Sequence, residues 1–267
     1  MHKLAHTHTF TRVLLLAGAF AAVSRAVAEE KKPAYDLAAD EARKARMAPE
    51  ELAWEKTLEG NLGSFYLPLY KQAKLKGSVT AWDYVKDDPR LPRVLLIGDS
   101  ISRGYTLAVR RALAGKANVH RAPANCGPTT MGLQKLPVWL GEGKWDIIHF
   151  NFGIHDRNSK PEDYQQHLEQ LVAKLRTSGA KPVWASSTPL SGKMIKTTHE
   201  DPLVKLNEVA AAVMKKHGIA FDDLHSVATP IVATMQGEDG CHFNEAGYDV
   251  LGKAVAACLL SQLPANR

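Results

Sequence analysis

The pattern of hydrophobic and polar positions changes at Arg93. From there on, short apolar runs alternate with longer stretches that carry apolar residues at helical spacing. A short unbroken apolar run next to Gly is typical of a strand that is buried on both faces. Such runs predict strands at 93–97, 118–122, 145–151, 181–186 and 219–222. The stretches between them predict helices at 104–115, 130–139, 161–177, 202–217 and 245–262.

This alternation predicts the fold class. Short strands that alternate with helices of this length favour βαβ units, and therefore an α/β fold in which helices cover both faces of a mostly parallel, five-stranded sheet. Gly179 and Gly218 lie where helix C-caps are expected, each just before a predicted strand. The sequence thus predicts one three-layer α/β/α domain that spans residues 93–267.

The N-terminal stretch follows a different pattern. Basic residues Lys3 and Arg12 precede the apolar segment 13–23, and a small-residue site ending at Ala28 is followed by a charged cluster. This order is typical of a secretory signal peptide, and the apolar segment is shorter than the roughly 20 residues of a membrane anchor. We therefore expect residues 1–28 to be cleaved off after Ala28, the mature protein to be periplasmic or secreted, and no stable membrane insertion to remain.

Residues 29–92 predict an N-terminal helical and aromatic extension packed on the α/β domain. The part from 34 to 58 is rich in Ala, Glu, Lys and Arg and predicts a helix with one solvent-exposed face. The segments 65–70 and 82–84 are rich in aromatic residues. They either serve packing alone, or cover a sheet edge or line a cleft.

Composition narrows the function classes. Hydrophobic residues make up 45% and charged residues 23% of the chain, and the net charge is +6. No dense block of Lys and Arg with interleaved aromatic residues is present, so nucleic acid is not an expected partner. The mild positive charge instead favours attraction of an anionic substrate.

Ser100 is a candidate nucleophile on positional grounds. Only Gly98 and Asp99 separate it from the end of the first predicted strand. Ligands of open α/β sheets bind at the carboxyl ends of the strands, and a helix N-terminus there offers unpaired N–H groups to a developing negative charge. The alternative is that Asp99 or Ser100 only caps the following helix, because both residue types are favoured N-caps.

Two further pairs of polar residues lie next to predicted strands or helices. His155 and Asp156 follow Gly153 at the end of the third predicted strand, and Asp239 precedes His242 by three residues before the last helix. An Asp on such a turn can accept the Nδ1–H of the imidazole, which leaves the opposite nitrogen free to accept a proton from a serine. The alternative is an Asx-type turn with a histidine on its rim.

Taken in order, four blocks of the sequence resemble the SGNH (GDSL-type) hydrolase family: Gly98-Asp99-Ser100, then Gly127, then Gly153 to Asp156, and Asp239 to His242. The resemblance covers the chain from about Arg93 to the C-terminal helix. It implies a flavodoxin-like three-layer domain that cleaves esters through an acyl-serine intermediate, with no metal and no cofactor.

The resemblance also implies roles for single residues. Ser100 would be the nucleophile, His242 the general base and Asp239 its orienting partner. The oxyanion hole would combine the N–H of Ser100, the N–H of Gly127 and a side chain of the third block. Residues that would support the site are Asp99 and Asp156.

His155 departs from the family pattern. The third block of the family is usually Gly-x-Asn-Asp, and His155 stands here in the position of the asparagine. A neutral imidazole can donate one N–H, so we expect His155 to be an oxyanion donor. Loss of one such donor typically costs about 10²–10³ in turnover. The alternatives are altered chemistry or an inactive site.

The resemblance also bears on the three cysteines of the chain. Cys126 adjoins Gly127 and Cys241 adjoins His242, so the two loops that carry them would meet at one site. Because export leads to an oxidising compartment, we expect a disulfide between Cys126 and Cys241. Cys258 lies in the last predicted helix and is expected to be a buried free thiol.

Candidate substrate-binding residues lie around the expected cleft. The loop 186–196 follows the fourth strand and is a candidate lid or substrate-binding loop. Arg103, Arg157 and Lys193 are placed to recognise a carboxylate or sulfate, with ordinary solvated charges as the alternative for each.

Two function classes follow from the sequence. The first is an exported serine esterase that removes a short acyl group, best acetyl, from a carbohydrate, with a lipid esterase or thioesterase as the enzyme alternative. The second is a non-catalytic glycan-binding module on a decayed hydrolase fold, which His155 motivates. The expected partner is a small-molecule or glycan ester, and the sequence predicts no particular oligomeric state.

Overall fold

The computed structural model describes residues 36–195 and 201–263, so the predicted signal peptide at 1–28 lies outside the described residues. The strands are β1 (Arg93–Ile97), β2 (Asn118–Arg121), β3 (Ile147–Phe150), β4 (Lys181–Ala185) and β5 (Ala220–Asp222). The helices are α1 (Leu37–Lys44), α2 (Pro49–Asn61), α3 (Gly63–Leu75), α4 (Ser100–Ala112), α5 (Thr129–Leu140), α6 (Pro161–Thr177), α7 (Pro202–Lys216), α8 (Leu224–Ala228), α9 (Val232–Met235) and α10 (Glu245–Gln262).

The five strands form one parallel sheet in the order β2-β1-β3-β4-β5. The predicted α/β fold is therefore confirmed. The connection from β1 leads outward to β2, and the chain then returns across β1 to form β3. Because the strand order reverses at this point, the loops that follow β1 and β3 diverge and leave a crevice at the carboxyl edge of the sheet. Ser100 follows β1 and His155 follows β3.

The apolar runs that predict the strands are buried. Every residue from Val94 to Ile97 in β1 and from Ile147 to Phe150 in β3 is buried. This explains why these strands read as continuous runs rather than as alternating patterns, since helices cover both faces of a parallel sheet.

Helix α4 begins four residues before the predicted start at residue 104. The reason is local: the Asp99 side chain accepts a hydrogen bond from the Ile101 N–H at 2.9 Å, which caps the helix and makes Ser100 its first residue. Asp99 thus has the capping role that one interpretation of the sequence gives it. That role places Ser100 at the helix N-terminus and does not compete with a role for Ser100.

Close packing of α4 against α10 positions the C-terminal part of the site. A Cβ atom on Gly252 would lie 2.4 Å from Cβ of Ala108, and one on Gly104 would lie 2.1 Å from the ring of Tyr248. The two helices can approach this closely only because both positions lack a side chain. The loop before α10, which carries His242, is thereby held near the start of α4.

The segment from residue 36 to residue 92 has three helices. The predicted helix over 34–58 is divided into α1 and α2, because Pro49 fits the first turn of a new helix. Helix α3 contains the first aromatic segment. The segment has a small apolar core of its own, formed by Leu58, Leu62, Tyr70 and Trp82.

Polar contacts attach this segment to β2 and α4. The Asn118 side chain accepts a hydrogen bond from the Asp88 N–H at 2.9 Å and donates to the Asp88 and Leu91 carbonyl oxygens at 2.8 and 3.1 Å. Arg110 donates to the Thr80 and Asp83 carbonyl oxygens at 3.3 and 3.4 Å. Within residues 36–195 and 201–263, no helix has both the length and the apolar character that crossing a bilayer requires.

Candidate active site

Ser100, His242 and Asp239 form a continuous chain of hydrogen bonds. The Oγ atom of Ser100 lies 2.7 Å from Nε2 of His242, and Nδ1 of His242 lies 2.7 Å from Oδ2 of Asp239. The three predicted catalytic residues therefore meet although 142 positions separate the serine from the histidine. Proton transfer from Ser100 to His242 requires hydrogen bonds in this order.

The Asp239 carboxylate also shapes the loop that carries His242. Its second oxygen, Oδ1, accepts hydrogen bonds from the backbone N–H of Cys241 at 2.9 Å and of His242 at 3.0 Å. Partial burial raises the pKa of Asp239, but the hydrogen bonds from His242 and the two backbone groups outweigh it and hold that pKa below its usual value. The Asx turn and the orienting carboxylate, posed as alternatives by the sequence, are thus one and the same group.

The loop after β4 braces the histidine loop. Gly240 has a φ of +74°, and a Cβ atom there would lie 1.9 Å from the Ser191 carbonyl oxygen. The Ser191 N–H donates to the Gly240 carbonyl oxygen at 2.9 Å, and Gln236 Nε2 donates to the Pro189 carbonyl oxygen at 2.8 Å. Residues 186–188 and Leu190 are buried, so the first half of the predicted lid forms a fixed support. Residues 196–200 lie outside the described residues.

The three candidate catalytic residues are unequally exposed. Ser100 is buried, whereas the side chains of His242 and Asp239 are 43% and 54% exposed. The imidazole is therefore partly open to solvent beside the buried Ser100.

The three predicted oxyanion donors differ in whether their N–H groups already have a hydrogen-bond acceptor. Ser100 is the first residue of α4, where backbone N–H groups have no partner within the helix. The Gly127 N–H donates to the Asn125 carbonyl oxygen at 2.9 Å. His155 lies on a single 3₁₀ turn, Ile154–Asp156, and its exposed side chain makes no hydrogen bond to any described residue. The oxyanion roles of Gly127 and His155 stay predictions.

Asp156 joins the second and third blocks. Its carboxylate accepts hydrogen bonds from Thr129 Oγ1 at 2.6 Å and from the Thr129 N–H at 3.1 Å. Thr129 is the first residue of α5, so Asp156 caps that helix from a distant part of the chain. Burial raises the pKa of Asp156, and the bonds from Thr129 oppose that shift. The predicted supporting role of Asp156 is thus exerted on the loop that carries Gly127.

Arg121 is a residue that the sequence patterns did not single out. Its buried guanidinium donates to the carbonyl oxygens of Gly98 and Asp99 at 2.9 Å each, and also bonds the Ser102 hydroxyl. It therefore holds the backbone immediately before Ser100. Its one recognisable sequence signal is a charge at the carboxyl end of a buried strand.

The three cationic candidates are separated in the structure. Arg103 lies one turn after Ser100 and faces the rings of Tyr66 and Trp82, 5.6 and 5.9 Å from their centroids. Arg157 donates to the Ile154 carbonyl oxygen at 2.9 Å. Lys193 is 59% exposed and lies 3.7 Å from the Glu238 carboxylate. Only Arg103 among these lines a cavity together with His242.

The predicted disulfide is absent from the structure, in which Cys126 and Cys241 are both buried free thiols. The Cys126 thiol points at the Ala124 carbonyl oxygen, 3.8 Å away. Burial raises the pKa of each of these two thiols to about 12. Cys258 is also a free thiol, but it is only partly buried.

One group of acidic residues in the described part of the chain could offer several ligands to a metal ion, namely Asp40, Glu55 and Glu59. It lies in the N-terminal segment, and cations already neutralise it: Arg43 lies 2.5 Å from Glu55, and Lys71 lies 2.7 Å from Asp40. The group therefore serves as an ion-pair network that ties α1, α2 and α3 together.

Comparison with known families agrees with this geometry. Residues 96–250 match the model of the GDSL-like lipase/acylhydrolase family. This range includes Ser100, Gly127, Gly153 and the pair Asp239 and His242. The chain belongs to this family. It is therefore a member of a family of ester hydrolases, and the resemblance drawn from the four sequence blocks is confirmed. No curated protein sequence matches the chain.

Solved structures share the fold. A lipase/acylhydrolase from Enterococcus faecalis is 21% identical with a TM-score of 0.58, and the match covers 66% of this chain and 99% of that one. The acetylxylan esterase Axe2 from Geobacillus stearothermophilus is 15% identical with a TM-score of 0.55, with coverages of 63% and 94%. A protein described as a putative arylesterase from Agrobacterium tumefaciens is 20% identical with a TM-score of 0.53, with coverages of 64% and 100%. About a third of this chain therefore has no counterpart in these structures.

Proposed function

We propose that this protein is an exported serine esterase that removes a short acyl group, acetyl, from a carbohydrate. The observation that carries the proposal is the hydrogen-bonded chain from Asp239 through His242 to Ser100, with 2.7 Å at each link. A glycan-binding module on a decayed fold would have no use for this alignment. The predicted signal peptide supports export.

The geometry supports a two-stage reaction. His242 Nε2 takes the hydroxyl proton while Ser100 Oγ attacks the acyl carbon, and the carbonyl electron pair moves to the oxygen. When the tetrahedral intermediate collapses, the C–O bond to the alcohol breaks and His242 returns the proton to the leaving oxygen. Water then attacks the acyl carbon while His242 takes its proton. The bond between the acyl carbon and Ser100 Oγ breaks, His242 returns the proton to Oγ, and the carboxylic acid leaves. Asp239 stabilises the imidazolium in both stages.

The choice of acetyl and carbohydrate is supported by relatives and by the surface near His242. Two solved structures with this fold, from 11% to 15% identical, are acetylxylan esterases. A groove of about 760 Å³, rich in aromatic side chains, has His242 among its lining residues. Such a groove suits a sugar ring, because aromatic walls with few polar groups are typical of sites that bind compact organic ligands.

Hydrolysis of p-nitrophenyl acetate, butyrate and octanoate tests the proposal. The mature protein starting at Glu29 is compared with Ser100→Ala, and with Ser261→Ala as a matched serine far along α10. We expect acetate to be the best of the three esters and Ser100→Ala to lower its turnover by about 10⁴-fold or more. Release of acetate from acetylated xylan then tests the substrate class.

Two outcomes would contradict the proposal. A preference for octanoate would favour the lipid esterase or thioesterase. A folded protein that hydrolyses none of the three esters and no acetylated xylan would favour the glycan-binding module. Mass spectrometry of the exported protein checks the predicted cleavage after Ala28.

A further inference from the structure

The N-terminal segment lines part of the groove that His242 also lines. This groove, called here the aromatic groove, has a volume of about 760 Å³. One side comes from α3 and the loop after it, and the other from α4 and α10. The residues that the argument uses are Phe65, Tyr66, Trp82, Arg103, His242 and Tyr248.

The position of His242 decides which part of an ester the aromatic groove receives. In acyl transfer to a serine, the histidine that took the serine proton must return it to the leaving oxygen. The leaving alcohol therefore lies on the histidine side of the nucleophile, and the acyl oxygen lies on the opposite side with the oxyanion donors. His242 lines the groove, whereas Gly127 and His155 do not.

The groove side of the N-terminal segment exposes apolar surface. Phe65 is 68%, Val79 69% and Leu69 50% exposed, and all three line the groove. Exposed apolar side chains that cluster at one place commonly mark a binding site. Phe65 packs edge-on against Tyr66, and Tyr66 against Trp82, with ring centroids 4.8 and 5.4 Å apart. The groove therefore has a firm aromatic wall.

Arg103 supplies a polar anchor within this wall. Its guanidinium lies over the rings of Tyr66 and Trp82, and it makes no hydrogen bond or ion pair with any side chain among residues 36–195 and 201–263. The other arginine of the groove, Arg111, is already paired with Asp249 at 2.5 Å. Arg103 lines the groove, and a guanidinium carries five N–H donors. Those of its N–H groups that face the groove can donate hydrogen bonds to oxygen atoms of a ligand.

We propose that the aromatic groove binds the alcohol part of the substrate, a sugar ring. The C–H face of the ring lies against the aromatic wall of the N-terminal segment, and the ring oxygen atoms accept hydrogen bonds from Arg103. The inference rests on the proposed esterase function and adds to it the place and the chemistry of sugar recognition. Residues 36–92, outside the matched family region, thereby become part of the active site.

The first test compares two substrates that share the acyl group. Ethyl acetate has a leaving alcohol too small to fill the groove, whereas acetylated xylotetraose fills it. The groove variants are Phe65→Ala and Arg103→Met, and the matched controls are Phe221→Ala on β5 and Arg90→Met, both exposed and outside the groove. We expect each groove variant to lower the ratio of kcat/KM for the sugar ester to that for ethyl acetate by about tenfold or more. The controls should preserve that ratio.

The second test measures binding without turnover. Calorimetry follows acetylated xylotetraose binding to Ser100→Ala alone, and to Ser100→Ala combined with Phe65→Ala or Arg103→Met. We expect affinity to fall by about tenfold with either added change. An unchanged circular dichroism spectrum and melting temperature of Phe65→Ala show that its loss is not a folding defect.

The outcomes separate the two proposals. If wild type deacetylates the sugar while the groove variants leave the substrate ratio and the affinity unchanged, the groove assignment is wrong and the esterase function stands. A second outcome is that wild type hydrolyses ethyl acetate but does not cleave the sugar ester, and that Ser100→Ala does not bind it. In that case the carbohydrate assignment is wrong, and so is the groove assignment.

Discussion

At the residue scale, one carboxylate does two things in this site. Asp239 uses Oδ1 to fix the turn that contains His242 and Oδ2 to hold the imidazole. The orientation of His242 is therefore set by backbone and side chain together. Replacement of Asp239 by asparagine keeps an oxygen for one task but offers an N–H₂ group to the other.

We expect Asp239→Asn to lower kcat by about 10⁴-fold, the loss known for the corresponding change in a serine protease, with a smaller effect on KM. The measurement is steady-state hydrolysis of p-nitrophenyl acetate. Glu238→Gln, one residue away and 96% exposed, is the control. If Asp239→Asn retained more than a tenth of the wild-type kcat, the carboxylate would not be orienting the base.

The same residue gives a pH dependence of stability. Because the pKa of Asp239 is lower in the folded protein than usual, its ionised form stabilises the fold. That contribution is present above about pH 4 and is lost as the pH falls through the folded-state pKa. We expect the free energy of unfolding of wild type to fall more between pH 5 and pH 2.5 than that of Asp239→Asn, in urea titrations at both values. Equal losses would show that the carboxylate contributes nothing to stability.

The meeting of Ser100, Asp239 and His242 could be predicted from the sequence, because the strand end and the turn each leave a signature. Arg121 and Arg103 act through contacts with backbone oxygens and aromatic rings. Such contacts depend on tertiary structure, and an arginine in a sequence does not show them.

At the element scale, the approach of α4 to α10 brings the loop that carries His242 to Ser100. Gly252 faces Ala108 with room for a hydrogen atom only, and the backbone oxygen of Tyr105 would lie 3.1 Å from an added Cβ. Neither helix can move away without shifting Ser100 or His242. The glycine therefore constrains the geometry of the Ser100–His242 hydrogen bond from outside the site.

We expect Gly252→Ala to destabilise the protein in spite of a better helix propensity. Alanine gains about 1 kcal/mol within a helix, whereas overpacking costs about 1–3 kcal/mol, and the contacting Cβ and backbone atoms cannot rotate away. Gly60→Ala in α2, where an added Cβ meets nothing within 4 Å, is the control and should be neutral or stabilising. The measurement is urea denaturation together with kcat. If Gly252→Ala matched Gly60→Ala in both, close packing would not set the site geometry.

The sequence predicts the elements of the α/β domain because their patterns are strong. The predicted strands and helices from residue 93 onward correspond to β1–β5, α4–α7 and α10. The short helices α8 and α9 were not predicted, since four or five residues are too few to show a helical period. Helix α3 was not predicted either, because its aromatic residues and internal Pro68 hide its period.

At the scale of the whole molecule, the groove at His242 extends beyond the part of the chain that matches the family. The family match begins at residue 96, but the groove at His242 includes residues from 65 to 82. The Arg121 guanidinium, for example, lies over the Trp82 ring, 5.7 Å from its centroid, and so joins parts of the chain that no local pattern relates. This is why the sequence could not say whether the aromatic segments 65–70 and 82–84 line a cleft, or which one.

Attachment of the N-terminal segment depends on a few polar groups, and the Asn118 side chain makes three of the hydrogen bonds. Its buried amide satisfies three backbone groups of Asp88 and Leu91. We expect Asn118→Ala to lower the free energy of unfolding by about 1–3 kcal/mol, because it leaves buried backbone groups unpaired. The control is Asn61→Ala, whose amide makes one hydrogen bond within its own helix.

Asn118→Ala should also affect the two substrates unequally. A loosened residue 80–92 loop would displace one wall of the aromatic groove and leave the Ser100–His242 hydrogen bond in place, since the latter is held by α4 and α10. We therefore expect a larger loss of kcat/KM with acetylated xylotetraose than with ethyl acetate, together with faster proteolysis between residues 80 and 92. Equal losses with the two esters would mean that the segment supports the fold as a whole and has no separate part in recognising the alcohol.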